Sequence, residues 1–353
     1  MARTGRRPTM ADVAAKAGVS VSTVSLAYSG AAPVTEETLA KVKAAAAALD
    51  YAGPSAQARA LRSGRTGIVA VVVHERLVRT LRDPLQLRIL DAIVEDLGAM
   101  GVGVLLLPSP DSGDSDSALL ATAAMDAAVV LRVRDHDEPA LEVLRRRGIP
   151  AVVMEAPDGA LSGAHITIDD TAATEELVRR LVDAGHTRIA TVTVPMTDHA
   201  RTRLLEPADL PDPMWTAPRH RLDAFARVGI EPCAIVEAEA SMVEEGMTAG
   251  RLLLEHPSKP TAVVCHSDLL AGGVIVAARE AGLEVPRDLS VTGFDGLDLP
   301  WLAPLTLTTQ AQDGTAKGHA IASAVRALLD GDEPGEIPIA LELREGTTVA
   351  PAP

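Results

Sequence analysis

The chain has 353 residues, 47% of them apolar and 23% charged, which fits two or three globular domains of roughly 100–200 residues each. No apolar run approaches the ~18–20 residues that span a bilayer, and the basic start, M-A-R-T-G-R-R-P, has no apolar stretch behind it, so neither a membrane anchor nor a secretory signal is read and a cytoplasmic protein is expected. A net charge of −15 argues against a nucleic-acid partner for the chain as a whole, and two cysteines, Cys233 and Cys265, do not make a disulfide framework.

The distribution of charge reverses the first of those arguments. Residues 1–65 carry nine Lys/Arg against four acids, +5 for the head and so −20 for the remainder. A basic head on an acidic body suits a DNA-binding module joined to an unrelated sensor.

In chain order, Thr9 can cap a first helix, with Asp12 three residues on as an acidic variant of the capping box. Met10, Val13, Ala14 and Ala17 form one apolar face, and Gly18 supplies the left-handed residue that ends it. Ser20 caps a second helix with Val24 and Ala27 inward and Val21, Ser22, Ser25 and Leu26 outward. A third helix follows Thr35, with Glu36 and Glu37 in its first turn and Leu39, Val42, Ala46 and Leu49 as its buried stripe. This is a helix-turn-helix arrangement, whose second helix enters the major groove. A three-helix protein-docking bundle is the competing reading of these helices alone. Tyr51-Ala-Gly-Pro54 then breaks the chain. Residues 55–62 can make about two turns of helix, too few to be stable alone in water, and 63–67 lead into the apolar strand Ile68–Val73.

The segments D-V-A-x-x-A-G-V-S-x-x-T-V-S (Asp12–Ser25), V-T-E-E-T (Val34–Thr38) and A-R-A-L-R-S-G-R-T (Ala58–Thr66) resemble, in order and spacing, the head of the lactose-repressor/galactose-repressor (LacI/GalR) family of bacterial transcription regulators. The resemblance implies that Val21, Ser22 and Leu26 read major-groove base edges while Thr9, Ser20, Thr23 and Ser25 grip phosphates. It places Leu61, flanked by Ala58 and Arg62, where the family wedges a hinge leucine into the minor groove, kinking the duplex. Leu26 stands where many relatives carry Arg or His. Apolar contact with thymine methyls is therefore expected in place of bidentate bonds to guanine.

From Ile68 onward short apolar runs alternate with helical patterns, which argues for parallel sheets covered by helices. Strands are expected at Ile68–Val73, Val102–Leu107, Ala127–Leu131, Pro150–Met154, Ile189–Val194, Ala262–Cys265 and Ser290–Gly293. Helices are expected at Leu85–Gly98, Glu138–Arg147, Thr171–Ala184, Glu244–Glu255 and Leu269–Ala281. The family resemblance implies a periplasmic-binding-protein-like sensor of two doubly wound lobes. The expected organisation is a head at 1–53, a hinge and linker at 54–66, and a sensor at 67–353. Lobe one is taken as about 67–168 plus 313–337, and lobe two as about 169–312 plus 338–353.

In such a fold, ligands bind at the carboxyl ends of strands, in the crevice between lobes. Glu155, Ser267, Asp268 and Asp295 end apolar runs and are candidate effector residues, although Asp268 can equally be read as a helix cap. Arg221, in R-H-R-L-D-A-F, matches a family segment with an effector-contacting arginine. Asp83 begins D-P-L-Q where relatives often carry Asn-Pro-Phe-Phe. Ser241 and Gly314 also stand where relatives carry bulky side chains, and Trp215 in the long segment Pro195–Pro218 is a candidate cover for the cleft. With only six Phe, Tyr and Trp in the chain, the ring-stacking of a sugar or nucleoside is weakly provided for.

Catalytic signatures are missing from the sequence. There is no G-x-S-x-G elbow, P-loop or G-x-G-x-x-G turn, and no metal-ligand spacing among the histidines. His266, Ser267 and Asp268 are consecutive and cannot converge as a triad. The expected protein is thus not an enzyme and needs no cofactor. It is a homodimer repressing from a palindromic operator and switched by a small polar, sugar-like or nucleoside-like ligand. The alternative is a solute-binding protein or a sensor with a degenerate effector site, its DNA binding governed by another partner.

Overall fold

The structure, a computed structural model, describes residues 8–29, 33–54, 64–74, 76–109, 117–134, 138–155, 163–197, 199–206 and 210–353. Ala58, Leu61 and Arg62 lie outside them. The chain divides into two compact units, Met1–Gly67 and Ile68–Pro353.

The first unit contains α1 (Met10–Ala17), α2 (Val21–Ser29) and α3 (Glu36–Ala48). The Thr9 backbone N–H donates to Asp12 Oδ2 at 2.8 Å and the Asp12 N–H to Thr9 Oγ1 at 3.4 Å, closing the capping box. Gly18, at φ 68°, ends α1 in the left-handed conformation that only glycine adopts without cost. Ser20 Oγ accepts from the Thr23 N–H at 3.0 Å, and Thr35 Oγ1 from the Thr38 N–H at 3.3 Å, so each following helix begins on a hydroxyl. Val13, Val24 and Val42 are at most 1% exposed and form the centre of a small core with Ala14, Ala45 and Ala46.

The second unit holds two sheets among the described residues. One comprises β1 (Ile68–Val73), β2 (Gly103–Pro108), β3 (Ala127–Val130), β4 (Ala151–Met154), β5 (Ala164–Thr167) and β12 (Gly335–Pro338), all parallel, in the order β12-β5-β4-β3-β1-β2. The other comprises β6 (Ile189–Thr193), β7 (Arg203–Leu205), β8 (Ile235–Glu237), β9 (Ala262–Cys265), β10 (Ser290–Asp295), β11 (Thr308–Gln312) and β13 (Leu341–Arg344), in the order β13-β11-β10-β9-β6-β8-β7. Its interior pairs are parallel, and both edges, β7 and β13, are antiparallel. β1 and β3 are buried along both faces, as a parallel sheet covered by helices requires.

Two lobes follow from this connectivity. The helix Asp170–Asp183 packs on the second lobe, whereas Gly314–Asp330 packs against Pro84–Ala99 of the first. The chain therefore passes between lobes after β5, after β11 and after β12. The helices Val243–Glu255 and Asp268–Glu280 approach closely because Gly246 and Gly273 face the opposite backbone, leaving no room for a Cβ. This seats the start of Asp268–Glu280 firmly at the mouth between the lobes. No helix among the described residues is long and apolar enough to cross a membrane.

The expected parallel strands and helices are found within a residue or two of their ends. Beyond those spans the structure adds the strands β5, β7, β8, β11, β12 and β13, which are short, polar or at sheet edges where the apolar pattern is weak, and the helices Thr216–Val228 and Gly314–Asp330.

Candidate functional site

A cavity of about 130 Å³ lies between the lobes, at the carboxyl ends of β1, β4, β9 and β10. Glu155, Arg221, Ser267 and Asp295 all line it, as does Asp83. Glu155 follows β4 with φ 57°, and Asp295 ends β10 with φ 119°. For side-chain-bearing residues both are costly backbone conformations, of the kind that the surrounding structure must impose.

Arg221 is 5% exposed and Asp170 3%. The guanidinium donates from Nε to Asp170 Oδ1 at 2.7 Å and from Nη1 to the His266 carbonyl, and its Cζ lies 3.6 Å from the centre of the Phe294 ring. Burial pushes the Asp170 carboxyl up while Arg221 pulls it down, with the net shift upward. Burial opposes the charge on Arg221, yet Asp170, Asp295 and Glu155 together hold it more firmly protonated.

Lys317, Gln312 and His266 escaped sequence reasoning. Lys317 is 1% exposed; its Nζ donates to Gln312 Oε1 and reaches Glu155 Oε1 at 3.4 Å. Because Lys317 occupies the amide oxygen, Gln312 turns its Nε2 to Asp295 Oδ1, at 2.8 Å. A chain of polar contacts thus runs from Glu155 in the first lobe through Lys317 and Gln312 to Asp295 in the second. His266 is 1% exposed on the cavity wall, and neither ring nitrogen has a hydrogen-bond partner. Burial, reinforced by Arg221, drives its pKa well below the usual value, so the ring is neutral.

Asp268 departs from the sequence expectation. It is fully buried behind the cavity wall, where Oδ1 accepts from Thr309 Oγ1 and Oδ2 from the Leu297 N–H, both at 2.6 Å. It braces the loop after β10 instead of facing a ligand. It is not the cap either: Ser267 Oγ caps Asp268–Glu280 by accepting from the Leu270 N–H at 3.2 Å, and it also accepts from Ser241 Oγ at 2.8 Å. Asp83 lines the cavity and caps its own helix, accepting from the Leu85 N–H at 2.9 Å. Trp215 packs beside the cavity and off its wall. Its ring meets His74 edge-on at 5.3 Å and carries the Arg132 guanidinium at 4.1 Å, while its backbone bridges Arg134. Among the described residues, no Phe, Tyr or Trp side chain lines the cavity.

Burial raises the Asp268 carboxyl to about 7, against about 3.9 in an unfolded chain. The folded state then holds a proton that the unfolded state has released, so stability falls as pH rises from about 4 to about 7, by up to about 4 kcal/mol. Asp268→Asn should flatten this fall: its amide can donate to Thr309 Oγ1 while its oxygen accepts from Leu297. Thermal melts across that window test it, and an unchanged slope would refute the assignment. Asp295, also pushed well up by burial and by Asp268 and Asp83, keeps its own share of the slope.

In the first unit, Val21 is 46% exposed, and the hydroxyls of Ser20, Ser22 and Thr23 cluster at the start of α2, with Ser20 2.6 Å from Ser22 and 2.8 Å from Thr23. Ser25 and Leu26 are half-buried one turn further along. Thr9 is engaged in the capping box, and no cluster among the described residues could hold a metal ion.

A small three-helix unit with a hydroxyl-rich second helix, followed by a two-lobed α/β sensor, defines a ligand-responsive DNA-binding regulator. Residues 9–53 match the family described as bacterial regulatory proteins, lacI family, and residues 178–349 match the periplasmic binding protein-like domain. The chain is 32% identical over 323 residues to an HTH-type transcriptional regulator of Mycobacterium tuberculosis, covering 89% of each. It is 30% identical over 312 residues to the HTH-type transcriptional repressor CytR of Escherichia coli, covering 86% of this chain and 84% of that one. The Lac repressor dimer bound to operator and the anti-inducer ONPF superposes with a TM-score of 0.79 at 25% identity, over 98% of this chain and 100% of the other. The chain belongs to the lacI family of DNA-binding transcriptional regulators, which are not enzymes.

Proposed function

We propose that the protein represses transcription in the cytoplasm as a homodimer on a palindromic operator, released or recruited by a small polar ligand in the cleft between its lobes. The cavity between the lobes carries this reading: polar and charged groups from both lobes meet in it, so occupancy and lobe closure are linked. The similarity to the repressor CytR and to the operator-bound Lac repressor dimer supports the rest. A dimer face is supported by Leu87, Val94 and Leu106, exposed by 42%, 50% and 38% on Pro84–Ala99 and the edge strand β2.

On DNA, Val21, Ser22 and Leu26 read base edges and Thr9, Ser20, Thr23 and Ser25 hold phosphates. Residues 54–66 act as hinge, with Leu61 as minor-groove wedge between Ala58 and Arg62; these three roles rest on family resemblance. Glu155, Arg221, Ser267 and Asp295 contact ligand, with Asp83 at the rim.

The test is fluorescence anisotropy with operator-length DNA from the gene's own upstream region. Leu61→Ala should lose specific affinity by about tenfold or more while keeping weak, salt-sensitive binding. Unchanged operator affinity would refute the hinge assignment. Removal of residues 1–66 should leave a folded dimer that ignores DNA, and a monomer at micromolar concentration would refute the sensor-mediated dimer.

A further inference from the structure

We propose that the cleft ligand carries an ammonium group, as in an amino sugar or a related small amine, held between Glu155 of the first lobe and Asp295 of the second. The proposal rests on the cleft being the ligand site and adds the charge of what fills it.

Three carboxylates, Asp83, Glu155 and Asp295, reach the cavity. The cations around it are already committed. Arg221 holds Asp170 and the His266 carbonyl, Lys317 holds Gln312 and Glu155, and Arg132 donates to the Pro195 carbonyl while lying on Trp215. Both cleft carboxylates keep capacity in reserve: Asp295 accepts from Gln312 through Oδ1 alone, and Glu155 meets Lys317 through Oε1 alone.

The unpartnered imidazole of His266 is an independent sign of a missing ligand. Being neutral, it offers one nitrogen as an acceptor.

An ammonium has three donors, no acceptor and a positive charge, which is the complement of this wall. A hydroxyl brings no compensating charge, a carboxylate adds a like one, and no aromatic face is present to stack a base. The consequence for closure is direct. Bringing the lobes together brings Glu155 and Asp295 toward each other, and a cation between them ties one lobe to the other. Burial and the acidic neighbours Asp268 and Asp83 push the Asp295 carboxyl well up in the empty cleft. A cation beside it favours the ionised form, so ammonium binding is coupled to proton release from Asp295 and affinity rises with pH.

The full chain should be titrated calorimetrically with D-glucosamine, D-galactosamine and putrescine. Each is paired with its hydroxyl counterpart (D-glucose, D-galactose, 1,4-butanediol) and its carboxylate counterpart (D-glucuronate, D-galacturonate, succinate). At least one amine should bind about tenfold or more tighter than its hydroxyl partner, with no binding of the matching acid. Its heat should differ between phosphate and HEPES buffers, reporting proton release, and Asp295→Asn should bring its affinity down to that of the hydroxyl partner. The proposal is overturned if no amine binds, if a hydroxyl or acid counterpart binds as tightly, or if no proton is released. Ser241→Trp, which fills the cleft, separates the two readings: probe binding that survives both Ser241→Trp and Asp295→Asn refutes the cleft as ligand site, not merely the charge of its ligand.

Discussion

Replacing Arg221 with methionine should cost the sensor about 3–5 kcal/mol of stability and abolish its ligand response. The methionine keeps the apolar stem against Phe294 but leaves Asp170, 3% exposed, and the His266 carbonyl without their donor. A buried carboxylate stripped of its cation takes up a proton in preference to staying charged, which limits the loss and makes it depend on pH. The folded pKa of Asp170, already raised by burial, climbs further without the guanidinium. The folded state then retains a proton that the unfolded state loses near pH 4. The proton-linked deficit against wild type is accordingly small while both folded forms hold the proton and grows as pH rises from the wild-type folded pKa toward the new, higher one. Urea unfolding at pH 5 and pH 8 measures it. Adding Asp170→Asn should recover part of the loss at pH 8, and equal stability of Arg221→Met and wild type would show that the pair does not hold the cleft together.

Val24→Asp should unfold the head and leave the sensor intact. Val24 is fully buried in a core shared with Val13, Ala14, Val42, Ala45 and Ala46, so no larger apolar mass can absorb the change. A unit of roughly 45 residues has only about 2–7 kcal/mol of stability at ~0.05–0.15 kcal/mol per residue. An unpaired buried carboxylate exceeds that. Specific DNA binding should vanish, leaving salt-sensitive association with a Kd on the order of 10⁻⁴–10⁻⁶ M. The sensor belongs to the separate unit Ile68–Pro353, and its thermal transition should stay where it is in wild type. Anisotropy and calorimetry on the same preparation check both halves, and retained operator binding would mean that the three-helix core is not what presents α2.

The parallel strands were legible because their burial on both faces writes them as continuous Val/Ile/Ala runs, such as Ile68–Val73 and Ala262–Cys265. Strand β11 was not. Its sequence, T-T-Q-A-Q, is polar, yet all five residues are buried. Thr309, Gln310 and Gln312 find partners in Asp268, Glu176 and Asp295, between 17 and 134 residues away in the chain. Pattern reading scores polarity, whereas burial follows from whether the polar atoms are satisfied. Lys317 escaped for the same reason: a lysine in a helix reads as solvated, and only the fold brings Glu155, 162 residues distant, beside it. Asp295 was readable from position alone, being the first acid past an apolar run. Asp268 looked equivalent by that criterion and is not, because the next two strands of its sheet close over it.

The order in which the lobes are threaded has a consequence for synthesis. The head is contiguous and can fold once the first sixty or so residues have left the ribosome, since domains fold as units from the N-terminus. The first lobe lacks the helix Gly314–Asp330 and its edge strand until Pro338 emerges, and the second lacks β13 until Arg344. Nearly the whole polypeptide must therefore be made before the sensor exists, while the DNA-reading part is complete after about a sixth of it. Chains stalled or clipped in the last third carry a complete head and an incomplete second unit.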